Sequence, residues 1–151
     1  MDNYIVEYSN DLPDWVSDKV LQGHVADEAA NGVICNYKSF SLIVKNTDNN
    51  IVGVLSAYVA YSEIYVDDIW VDPDYRGCGF GSKLLSHLEN QFKDKGYNNI
   101  NLVTSQFQAV EFYKKCGFEI EFVRINKCNP KLTKMFFIKY FNEKHQTQGL
   151  L

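Results

Sequence analysis

One stretch constrains this chain more than any other: Ile69-Trp70-Val71-Asp72-Pro73-Asp74-Tyr75-Arg76-Gly77-Cys78-Gly79-Phe80-Gly81-Ser82. An apolar strand pattern stops at Asp72-Pro73, because proline cannot donate to a ladder. The chain then passes three alternating glycines and enters a run where Leu84, Leu85, Leu88 and Phe92 repeat at helical spacing. A strand that feeds a helix through such a turn builds an anion site. Glycines allow close backbone approach, the first N–H groups of the helix lack intrahelical partners, and the helix dipole favours negative charge there. A pyrophosphate can satisfy several of these donors together. Gly77, Gly79 and Gly81 do not form G-x-G-x-x-G, and no G-x-x-x-x-G-K-[ST] occurs in the chain, which weighs against dinucleotide and P-loop nucleotide sites.

The surrounding pattern predicts what this turn is built into. A helix spans Trp15 to about Ala30, with Val16, Val20 and Leu21 at helical spacing. Strands at 40–44, 51–61 and 64–71 follow as an antiparallel meander, the first two joined by a turn at Asp48-Asn49-Asn50. The second is apolar on both faces, as a central strand should be. After the glycine turn come a helix to about Lys95, a strand at 99–104, a short helix at 109–115, and strands at 118–123 and 134–141. Strands in runs, with helices at the start and among the later ones, predict an α+β fold, a mixed and mostly antiparallel central sheet flanked by helices. At 151 residues the chain reads as one domain over 1–151.

Composition narrows the partners. A net charge of −4 gives no basic field for a phosphate backbone, so nucleic acid is not expected. No run of 18 apolar residues and no basic leader followed by an apolar stretch are present, so neither membrane insertion nor export is expected. Cys35, Cys78, Cys116 and Cys128 form no C-x-x-C pair, which predicts reduced thiols and a cytoplasmic setting. His24, His87 and His145 share no spacing that suggests a metal site or a Ser/His/Asp group, so no metal is expected.

Arg76-Gly77-Cys78-Gly79-Phe80-Gly81 resembles the acetyl-CoA-binding motif of the GNAT superfamily, Q/R-x-x-G-x-G/A. Downstream, Gln106-Phe107-Gln108-Ala109-Val110-Glu111-Phe112-Tyr113-Lys114-Lys115-Cys116-Gly117-Phe118 resembles the second motif of that family, N-x-x-A-x-x-F-Y-x-x-x-G-F. The resemblance implies an N-acetyltransferase whose two central strands splay apart around the pantetheine arm. It implies backbone contacts from Ile69, Trp70 and Val71, and a pyrophosphate held by amides from Gly77 through Cys78, Gly79, Phe80 and Gly81 to Ser82, beside Arg76. Gln106 replaces the motif asparagine that contacts the cofactor in relatives. A primary amine, on a small molecule or a peptide, would attack the acetyl-CoA thioester directly in a ternary complex, and a homodimer would be in keeping with the family.

Two proton transfers then need residues. An alkylamine has a pKa of about 10.4 and is mostly protonated at pH 7, so a base must act before attack. Asp67 and Asp68 are adjacent carboxylates in an otherwise apolar strand, and strict alternation would put them on opposite faces, so that at most one can face the acceptor directly. Tyr113, at the motif tyrosine, is the implied acid for the departing thiolate. The same motifs also admit a non-catalytic acyl-CoA-binding or regulatory module, in which Tyr113, Asp67 and Asp68 would be dispensable.

Overall fold

The computed structural model describes residues 4–141, which fall into two compact units divided between Cys35 and Asn36. The first unit holds α1, Asp14–Ala30. The Pro13 carbonyl accepts from the N–H groups of Val16 and Ser17 at 2.9 and 3.1 Å, and Asp14 places a carboxylate in the first turn, where the helix dipole favours it. The helix closes where Gly32 takes φ +69° and the Val33 N–H returns to the Glu28 carbonyl at 3.0 Å. Tyr4–Tyr8, despite its apolar alternation, forms no strand.

The second unit is a six-stranded sheet in the order β1-β2-β3-β4-β6-β5. Its strands are β1 (Lys38–Lys45), β2 (Ile51–Ala60), β3 (Glu63–Val71), β4 (Asn99–Ser105), β5 (Glu119–Arg124) and β6 (Lys134–Tyr140). Two helices join them, α2 (Phe80–Phe92) and α3 (Val110–Lys115). The β1–β2 turn is held by Asn46, whose Oδ1 accepts from the N–H groups of Asp48 and Asn50 at 3.0 and 2.9 Å, with Asn49 at φ +66°. Leu84, Leu85 and Leu88 form the buried stripe of α2, in one core with Leu55 and Val59 of β2, Ile64 of β3, Ile100 of β4 and Phe137 of β6. Burying each such leucine contributes about 1.5–3 kcal/mol.

Only β3 and β4 run parallel, and they pair from Glu63↔Asn99 to Val66↔Leu102 and no further. Both strands continue, β3 to Val71 and β4 to Ser105, so the sheet opens between them. The opening starts where β3 carries a bulge: Ser56 of β2 stands opposite Asp68 and Ala57 opposite Val66, leaving Asp67 without its own partner. An extra residue bends and twists its strand, and here it turns β3 away from β4. On the other side, β4 stays paired with β6 along its whole length, from Asn99↔Tyr140 to Ser105↔Lys134.

Candidate active site

The end of β3 delivers the chain to the glycine turn. The Asp72 side chain accepts from the Asp74 N–H at 2.9 Å and caps the short 3₁₀ turn Pro73–Tyr75. Arg76 then folds back, its Nε donating to the Val71 carbonyl at 3.1 Å, which ties the turn to the strand it leaves. Gly77 and Gly79 take φ +77° and +82°, a region that L side chains rarely adopt. Gly79 is the N-cap of α2. No side chain caps this helix and its first turn contains no acidic residue, so its leading N–H groups and positive dipole end are not neutralised locally.

A cavity of ≈ 470 Å³ lies at this helix start. Ile69 and Val71 of β3 form one wall, Tyr75, Arg76, Gly77, Gly79, Phe80, Gly81 and Ser82 the next, and Ala109, Phe112 and Tyr113 the third. Gly81 explains how α2 and α3 close around it: a Cβ there would stand 2.9 Å from Cζ of Phe112, so the ring takes the space a side chain would fill. The Tyr75 hydroxyl accepts from Asn46 Nδ2 at 3.0 Å, linking the cavity wall to the β1–β2 turn.

Tyr113 is half-buried among Phe112, Phe118 and Phe137, with ring centroids 5.1, 6.2 and 5.7 Å away. Burial raises its phenol above the ordinary value, and the Asp68 carboxylate and then Cys116 raise it further. The phenol is therefore neutral at physiological pH, and its hydroxyl makes no hydrogen bond to a described residue. Asp68 thus makes itself felt at Tyr113, although the two arise on different elements.

The bulge interrupts the strict alternation that would put Asp67 and Asp68 on opposite faces: Asp68 stands opposite Ser56, Asp67 is the extra residue without a partner on β2, and both are exposed. Ser56 shares its face of the sheet with Tyr58, and its hydroxyl lies 3.1 Å from that of Ser41.

Eight of the residues expected around a cofactor line the cavity: Ile69, Val71, Arg76, Gly77, Gly79, Phe80, Gly81 and Ser82. Trp70 pairs with Val54 and Cys78 stands exposed, and neither contributes to the lining. Gln106 is also outside it, its N–H donating to the Thr133 carbonyl at 2.9 Å. Gln108 is the structurally active glutamine of that loop: its Oε1 accepts from Thr104 Oγ1 at 3.2 Å and from the Ser105 N–H at 2.9 Å. Tyr75, Ala109 and Phe112 complete the lining without having been singled out. The pairing of a helix-start glycine with the motif phenylalanine was the signal for Phe112. Among the described residues no group of three His, Cys, Asp or Glu could hold a metal, the four cysteines are unbridged, and His145 lies outside the described residues. No described helix is long and apolar enough to cross a membrane.

The profile of the acetyltransferase (GNAT) family matches residues 10–118. The chain belongs to the GNAT family. A blasticidin-S acetyltransferase of Streptomyces morookaense is 30% identical over 90 residues, 59% of this chain and 65% of that protein. Curated relatives are matched over part of their length, 44% for a bovine thialysine N-epsilon-acetyltransferase. The crystal structure of an acetyltransferase from Bacillus cereus ATCC 14579 superposes with a TM-score of 0.73 at 27% identity, covering 91% of this chain and 97% of that one. A GNAT assignment accounts for the mostly antiparallel sheet, its split, and the uncapped helix at the end of the split.

Proposed function

We propose that this protein is an N-acetyltransferase that binds acetyl-CoA in the β3–β4 split and transfers its acetyl group to a primary amine within a ternary complex. The observation that carries this reading is the continuity of one cavity from the uncapped start of α2, past Ile69 and Val71, to Tyr113. The residues present fit the group. The two positive-φ glycines present backbone N–H groups without side chains in front of them, and no carboxylate competes for the helix start. An acetyl-CoA complex is known for a Bacillus anthracis structure that superposes with a TM-score of 0.60 at 25% identity, covering 74% of this chain and 68% of that one.

Acetyl-CoA supplies an activated thioester. The amides from Gly77 to Ser82 hold its pyrophosphate, and the backbone of Ile69 and Val71, freed from β4 by the split, orients the pantetheine arm. Asp68, with Asp67 beside it, takes the proton that an ammonium acceptor must lose before it can attack. Tyr113 donates to the departing sulfur. Burial holds the Tyr113 phenol above its ordinary value, so it stabilises the departing thiolate by a hydrogen bond; as the C–S bond breaks, the attacking nitrogen sheds its second proton and the sulfur leaves as the thiol, with a pKa of about 8.5, so the reaction releases one net proton, the one Asp68 passes to solvent.

Isothermal titration with acetyl-CoA, run beside NADH and ATP, tests the reading. Saturable one-to-one binding of acetyl-CoA alone is the expected result, followed by thiol release over a panel of amines and peptides. A folded protein that binds none of the three would reject the donor. Tight acetyl-CoA binding with no release across the panel would leave a binding module.

A further inference from the structure

We propose that the acceptor of this transferase carries, several bonds from its primary amine, an anionic group, and that Arg124 and Lys134 bind that group on the face of the sheet away from the core. The inference rests on the acetyl-transfer reading above and adds to it what the acceptor must look like. From Phe122 to Phe141 the chain holds Arg124, Lys127, Lys131, Lys134 and Lys139 and no acid, although its net charge is −4. Lys139 is paired with Glu89 at 2.6 Å. The other four make no ion pair among the described residues. Two of them are set against each other: Arg124, which ends β5, stands opposite Lys134, which begins β6. Like charges in that position destabilise a sheet, and a bound anion turns the repulsion into two attractions.

Register puts this pair on the same face as the proposed base. Asp68 stands opposite Ser56, which shares its face with Tyr58, and Tyr58 stands opposite Tyr65. Tyr65 is level with Asn101 of β4; four residues on, Ser105 stands opposite Lys134, and Lys134 opposite Arg124. Residues two apart share a face, so Asp68, Ser105, Lys134 and Arg124 all lie on the side away from Leu55, Val66, Leu102 and Phe137 of the core. Asp68 is one ladder step beyond Val66, while Ser105 and Lys134 are three beyond Leu102. Two strand spacings across and two residues along separate Asp68 from Lys134 by roughly 12 Å of backbone even before the split widens the gap, which is why the amine and the anion must be several bonds apart. The loop between β5 and β6 is built onto the same end of the split. Asn126 Oδ1 accepts from the Cys128 and Asn129 N–H groups at 3.0 and 2.8 Å, and the Asn126 N–H donates to Oγ1 of the buried Thr133 at 3.1 Å. The Thr133 carbonyl in turn accepts from the Gln106 N–H just past β4 at 2.9 Å. Lys127 and Lys131 thus stand on a hydrogen-bonded turn anchored where β4 leaves the sheet, and they add to the positive field around Arg124 and Lys134.

Thiol release with three acceptors of matched chain length, hexylamine, 6-aminohexanoate and 6-aminohexyl phosphate, tests the inference. An anionic acceptor should exceed hexylamine by about tenfold or more in kcat/KM, chiefly through a lower KM, and the advantage should shrink as salt is raised. Which of the two anions gains more distinguishes a carboxylate-bearing acceptor from a phosphorylated one. Lys134→Gln and Arg124→Gln should each cut the advantage by about threefold or more, and the double variant should bring it close to one, whereas Lys134→Arg keeps it. Arg124 also stacks on Phe136 at 4.9 Å, so circular dichroism and acetyl-CoA titration must show each variant folded, and Lys134→Gln leaves that contact in place. Equal kcat/KM for anionic and neutral acceptors, in these three or across the wider amine panel, overturns the inference and leaves the acetyl-transfer reading standing. So does an advantage that survives in the double variant. Absence of transfer to every acceptor rejects the acetyl-transfer reading and this inference with it.

Discussion

At the residue scale the proposed chemistry rests on Tyr113 and Asp68. Tyr113→Phe removes one hydroxyl from a half-buried ring and leaves the ring contacts with Phe112, Phe118 and Phe137 intact. It should lower kcat by about 10²-fold, a typical contribution of a positioned acid, while the acetyl-CoA dissociation constant measured by titration stays within about twofold. An unchanged kcat with chemistry shown to be limiting would remove Tyr113 from the mechanism. The pH profile is a second check. A phenol raised above its usual value donates at every pH below about 10, so the alkaline limb of kcat belonging to Tyr113 should lie above 10 and vanish in Tyr113→Phe. The same shift bears on stability: the folded state keeps the phenol neutral where the unfolded chain ionises it, so stability is flat below about 10 and falls above it. Tyr113 and the glycines were legible in the sequence because a motif fixes them locally. The relation of Asp67 to Asp68 was not, since it depends on a bulge defined by pairing with Ser56 and Ala57 on another strand.

At the scale of elements, the start of α2 separates two effects that glycine substitutions usually mix. A Cβ at Gly79 would meet nothing within 4 Å, so the cost of substitution there is the backbone at φ +82° and whatever charge is added. Gly79→Ala should cost about 1–2 kcal/mol of stability, the ordinary penalty of a left-handed conformation. Gly79→Glu adds a carboxylate that suits an empty helix start but repels a pyrophosphate. It should remain folded and weaken acetyl-CoA binding at least about 100-fold, and wild-type affinity in calorimetry would refute the anion site. Leu88, 0% exposed in the middle of α2, is the contrasting case: Leu88→Ala should lose about 2–5 kcal/mol in denaturant unfolding, because it leaves a cavity far from the helix start. The leucine period made α2 readable, as alternation and turn residues did for β1 to β3. Sequence gave no sign that β6 inserts between β4 and β5, because that order follows from pairing preferences between segments separated by a long loop.

At the scale of the whole sheet, the split divides β1–β2–β3 from β4–β6–β5, and the direct ladder between the halves is the short parallel stretch Glu63–Val66 with Asn99–Leu102. The helices α2 and α3 supply the rest of the connection by packing on the shared core. A ligand that touches Ile69 and Val71 on one half, the start of α2, and Tyr113 on α3 links parts that the ladder leaves apart. Its binding free energy then appears as stability, about 2.7 kcal/mol at a ligand concentration 100 times the dissociation constant. For a chain of this size each kcal/mol raises the midpoint by about 2–4 °C, so acetyl-CoA should raise Tm by roughly 5–10 °C, and NADH at equal concentration should leave it unchanged. Hydrogen exchange localises the effect. The amides of Ile69, Val71 and the first turn of α2 should slow with acetyl-CoA bound, while those of β5, at the far edge, should keep their rates. A uniform slowing across the sheet would mean that the ligand stabilises the fold without using the split, and no slowing at Ile69 and Val71 would place the acyl carrier elsewhere.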